Sequence, residues 1–218
     1  MKIRMLGTIL SAACALAGCS NGDGASESKQ TSEAITADRA PALRDALQST
    51  DDRARIDAVE STIAAKAIET LPLLEATRLP ADPVAAPTII RAVALIGREA
   101  NADERRRAAE TLGAWLDSER QRDGVDARGN VSVLVDALGD LGGRDGARAL
   151  ATALDTGGLP LHVETLAAQR LAALGDADAA PALARHAARV AALPKAEGID
   201  ELLRTEALAV AAFARKGG

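Results

Sequence analysis

Few residues in this chain of 218 are of a type that does chemistry. His162 and His186 are the only histidines, and Cys14 and Cys19 the only thiols. No HExxH, CxxC or Asp-rich calcium loop brings such residues to metal-ligand spacing, so no metal site and no cofactor is expected. His162 follows Pro160 and Leu161 at the start of a helical pattern, and His186 lies between Arg185 and Ala187 on a mostly polar face; both read as surface or structural residues. The paired carboxylates Asp51 and Asp52 stand where a helix begins, a place where capping explains them. "LGGRDG" at 141–146 is glycine-rich like a phosphate loop, yet no strand pattern precedes it. No catalytic residue is therefore expected. What remains is arginine at four-residue spacing: Arg106 with Glu110, Arg144 with Arg148, Arg185 with Arg189. Such pairs share one side of a helix, and guanidinium is suited to bidentate recognition of carboxylates.

The cysteines take their meaning from the N-terminus. Lys2 and Arg4 precede an almost uncharged apolar run over 5–17, too short to span a bilayer comfortably and organised like a secretory signal. The residues Leu16, Ala17, Gly18 and Cys19 resemble the bacterial lipoprotein box. That resemblance implies removal of 1–18, lipidation of Cys19, and attachment to the membrane through covalent lipid. Ser20, in place of aspartate, implies the outer membrane, facing the periplasm. Cys14 would leave with the signal. Residues 19–36 then form the lipidated cysteine and a tether, whose Ser, Gly, Asp and Lys content offers little apolar surface to bury. The body is 37–218.

The elements that must position the arginines are helices. Alanine is the commonest residue, Trp115 and Phe213 are the only aromatics, and β-branched runs are few. The formal charge of −5 becomes two units more negative once Lys2 and Arg4 are removed, which argues against general nucleic-acid binding. Without aromatic platforms, single strands and sugars also lack a stacking surface.

Ile89, Val93 and Ile96 recur at i, i+4 and i+7, as do Leu134, Leu138 and Leu141, and then Ala167, Leu171 and Leu174. Gly97, Gly142 and Gly175 are expected to end these helices. A second helix follows each, with Asp103, Asp145 and Asp178 near the starts and Ala108, Leu112, Trp115 and Leu116, then Leu150 and Leu154, then Leu183, Ala187 and Val190 inward. The polar stretch 118–130 reads as an enlarged loop. Upstream, 52–65 and 67–79 form a weaker pair with Pro72 inside the second member; 38–48 and 199–215 would cap the ends.

"ALGDLGGRDGARAL" (137–150) and "LAALGDADAAPALARH" (171–186) resemble HEAT-like repeats, particularly the phycobilisome-lyase type, over about residues 52–193. The resemblance implies an all-α solenoid of helix pairs, with an irregular Ala-rich bundle as the alternative. It also implies a protein-binding scaffold or adaptor whose second helices line the concave face. There Arg106, Arg144, Arg148, Arg185 and Arg189 would receive a protein with an acidic surface. An immunity lipoprotein neutralising a toxin, and an enzyme or accessory factor with a lyase-like groove, are the rival readings.

Overall fold

The computed structural model describes residues 39–122 and 125–192, the side chains of 125–128 excepted. Cys14, Cys19, the apolar leader, the tether and the expected closing helix at 199–215 lie outside the described residues. Among the described residues the protein is all-helical, with no strand. The helices are α1 (Arg39–Gln48), α2 (Asp52–Ala65), α3 (Leu71–Glu75, entered through a 3-10 turn at Ile68–Thr70), α4 (Ala85–Glu99) and α5 (Ala102–Arg120). They continue with α6 (Val125–Leu141), α7 (Gly143–Thr156), α8 (Leu161–Leu174) and, after a 3-10 turn at Ala177–Ala179, α9 (Ala180–Ala192).

The apolar stripes bury as their spacing requires. Ile89, Val93, Ile96, Leu134, Leu138, Leu141, Ala167 and Leu171 are core residues, and Leu174 packs half-buried against them. Among the second helices, Ala108, Leu112, Leu116, Leu150, Leu154, Leu183, Ala187 and Val190 are buried, while Trp115 is only partly so. The stripes sort the helices: α2 packs on α4, α4 on α6 and α6 on α8, while α5 packs on α7 and α7 on α9. α4, α6 and α8 each also touch the helix that follows, α5, α7 and α9 in turn.

Four sequence expectations change. Gly97 does not end its helix, which runs on to Glu99; a Cβ there would stand 2.9 Å from the Ala108 Cβ, so glycine lets α4 and α5 approach closely. Gly142 does end α6, at a positive φ of 69° but with ψ of −164°, and turns the chain into α7; of the three glycines Gly175 alone takes the left-handed C-cap. The 118–130 stretch is mostly helix: α5 continues to Arg120 and α6 begins at Val125. The second upstream member is shorter than expected: Pro72 falls in the first turn of α3, which spans five residues before the chain turns at Ala76. The carboxylates near the second helices sit in first turns as expected, but the capping is done by Asn101, which forms a capping box with Glu104, and by Asp176.

Candidate functional site

The capping box fixes where α5 starts. Glu104 N–H donates to the Asn101 side chain at 3.0 Å, and Asn101 N–H donates to Glu104 Oε2 at 3.3 Å. With Ala108, Leu112 and Leu116 turned inward, Arg106, Glu110 and Asp117 are left exposed. In α7, Gly146 nests against α6, where a Cβ would come within 2.5 Å of the Leu138 carbonyl oxygen. That close crossing leaves Arg144 and Arg148 exposed, as Arg185 and Arg189 are on α9.

All five arginines expected to meet a partner are on the surface, but none is idle. Two are engaged within their own helix: Arg106 with Asp103 at 3.1 Å and Glu110 at 4.0 Å, and Arg148 with Asp145 at 3.2 Å. Three join α7 to later parts of the chain. Arg144 reaches Asp178 at 2.7 Å, a hydrogen bond that raises the guanidinium above its ordinary pKa. Arg185 grips Asp155 with two bonds of 2.8 and 2.6 Å, holding that carboxyl below its usual range. Arg189 donates to the Leu154 carbonyl at 2.7 Å, in the last turn of α7, with Glu164 3.8 Å away.

Between α5 and α7 runs a groove of about 390 Å³ with a floor of small residues, among them Ala109, Gly113 and Ala149. Glu110, Asp117, Asp145 and Arg148 border it. Arg148 alone of the five arginines lines this groove; Arg144, Arg185 and Arg189 belong to the α7–α9 junction. The structure thus breaks the expected ridge apart, with three arginines at the α7–α9 junction, Arg148 at the groove and Arg106 on α5, each with partners close by.

His162 is exposed in the first turn of α8, as expected. His186 is not a surface residue: it is fully buried, and neither ring nitrogen has a hydrogen bond. Its Nδ1 stands 3.4 Å from Glu164 Oε2, without the alignment of a hydrogen bond. Among the described residues, no group of three or more His, Cys, Asp or Glu stands where it would hold a metal ion, and no helix is long and apolar enough to cross a membrane.

Sequence reasoning missed two arrangements. Arg170 of α8 clamps α6, bonding Asp136 at 2.7 Å with Asp140 at 3.6 Å, its stem lying across Gly139. The aspartate pair with glycine between them was the available signal. The second is a cleft of about 460 Å³ where the α3–α4 link meets α5, lined by Arg78, Leu79, Pro80, Trp115, Glu119 and Arg122 with Ala81 and Ser118. The polar composition of 118–130 hides it, and the single tryptophan is the clue. Comparison with known proteins identifies no relative: no family model, no curated protein and no solved structure matches this chain.

Proposed function

We propose that this chain is a lipid-anchored protein of the bacterial cell envelope, built as a HEAT-like α-solenoid, that binds another protein and has no catalytic role. The observation that carries the repeat reading is a recurrence in the side-chain bonds. Lys66 to Glu99, Arg120 to the Gly157 carbonyl, Arg144 to Asp178, Arg170 to Asp136, Arg185 to Asp155 and Arg189 to the Leu154 carbonyl join residues 30 to 37 positions apart. One period links each unit to the next, the expected arrangement when stacked helix pairs touch only their neighbours. The anchor rests on the box at Leu16–Cys19 and the apolar run before it.

The second helices are the binding side in this reading, and the pairing of the arginines ranks them. Arg106 and Arg148 carry exposed pairs within one helix, which a partner carboxylate can replace at small cost. Arg144, Arg185 and Arg189 hold successive units together and serve the partner only by keeping the surface in shape.

Two measurements test the proposal. A photo-crosslinking residue at Thr152, exposed beside the α5–α7 groove, should capture a partner in intact cells, and one at the exposed Gln169 of α8 should not. Arg148→Glu should lower the yield at Thr152. Equal capture from both positions, undiminished by that change, overturns the second-helix surface. Mass spectrometry of the mature N-terminus should find acylated Cys19; an unmodified chain starting elsewhere removes the anchor.

A further inference from the structure

We infer that the cleft between the α3–α4 link and the C-terminal half of α5 receives an acidic peptide segment carrying an apolar side chain. The inference rests on the reading of this chain as a protein binder and adds a second acidic contact, apart from the second-helix arginines. The cleft has an apolar bed and a charged border. Trp115 and Leu79 pack half-buried against the core and face the cleft with their remaining surface, with Pro80 beside them. At about 460 Å³ it has the size of a ligand pocket.

The border is cationic on a chain whose formal charge is −5. Glu119 is buried, 3% exposed, and both its carboxylate oxygens are spent: Asn130 Nδ2 donates to one at 3.0 Å and Arg122 to the other. Glu119 therefore fixes Arg122 at the cleft wall. Arg78, exposed on the opposite side, has no hydrogen bond or ion pair among the described residues. Two guanidinium groups thus stand against one carboxylate, and the one without a partner can offer a bidentate grip to an incoming carboxylate.

The link is held ready at both ends. Thr77 bonds back to Leu73 and Leu74 at the end of α3, and the Asp82 carboxylate accepts the N–H groups of Val84 (2.9 Å) and Ala85 (2.6 Å) at the start of α4. Pro80 and Pro83 stiffen what lies between. A pre-shaped cleft loses little entropy on binding.

Trp115 is the only tryptophan and the chain has no tyrosine, so its emission reports on this cleft alone. The full-length protein would be titrated with a capped hexapeptide of alternating leucine and aspartate, with its leucine–lysine counterpart, and with N-acetyl-leucine. The acidic hexapeptide should shift Trp115 emission saturably, and the basic one should not. Arg78→Glu should weaken the acidic peptide by about tenfold or more, with Arg78→Lys between, while circular dichroism is unchanged. Equal affinity for the two hexapeptides, or no loss in Arg78→Glu, overturns the inference. So does N-acetyl-leucine binding as tightly as the acidic hexapeptide, which would make the occupant a small carboxylate. If peptides fail here while Thr152 still crosslinks a partner, this inference alone falls; if both fail, the binder reading falls with it.

Discussion

Two carboxylates respond to their surroundings in opposite ways. Bonds from Arg185 hold the Asp155 carboxyl below its usual range, whereas burial lifts that of Glu75, with Arg107 only partly opposing. Asp155 therefore adds stability above its unfolded value of about 3.9, and that contribution disappears as pH falls through the lower folded value. Glu75 binds its proton more tightly when folded, so its effect is a loss of stability as pH rises past about 4.3. Denaturant titrations should find Asp155→Asn less stable than the parent at neutral pH, with the gap closing in strong acid. Glu75→Gln should be the more stable at neutral pH, its gap closing in acid too. His186 offers a third case. Buried with both nitrogens unbonded, it should be replaceable by leucine with a gain of about 1 kcal/mol and a higher unfolding midpoint. A clear fall instead would mean that the nearby Glu164 steadies the ring. This burial was legible in the chain: position 186 falls in step with Leu183, Ala187 and Val190. The flanking Arg185 and Arg189 mask it, because they give the segment a polar composition around an inward position. The arginine partners were not legible, since Asp155 and Asp178 come into reach only once successive helices have packed.

At the scale of elements, glycine has two unlike uses. Gly146 abuts a backbone oxygen of α6, which cannot step aside, so Gly146→Ala should lower stability by about 1–3 kcal/mol. Gly113, in mid α5, would place its Cβ in open space; Gly113→Ala should raise stability by about 0.8–1 kcal/mol through helix propensity. Thermal unfolding of the two variants decides between them, and a gain at position 146 would show that α6 and α7 can separate freely. The i, i+4, i+7 stripes announced α4, α6 and α8 because burial on one side of a helix writes that period directly. The 118–130 stretch concealed its helices because its polar residues are spent on one another: Glu119 is satisfied by Asn130 and Arg122 across the bend. Polarity there marks a buried network, and composition alone reads it as loop. Pro72 in the first turn, where its missing N–H costs nothing, keeps α3 from starting earlier, and Pro80 and Pro83 beyond bar any regrowth.

For the molecule as a whole, the helices share one continuous core, and Leu138 lies inside it. Leu138→Ala should cost about 2–5 kcal/mol, measured by denaturant unfolding. A cost under about 1 kcal/mol would mean that α6 is not the central helix its packing on α4, α5, α7 and α8 makes it. Where that damage spreads depends on the reach of the bonds. The long-range side-chain hydrogen bonds among the described residues span 30 to 37 positions, and none of them goes further. A chain knit over so short a range can begin to order at any point along its length, for little loop closure precedes the first useful bond. It should fold quickly and come apart from its ends. Hydrogen exchange should grade accordingly, with amides of α6 slowest and those of α1 fastest, so that over these helices the clock of exchange runs inward along the chain.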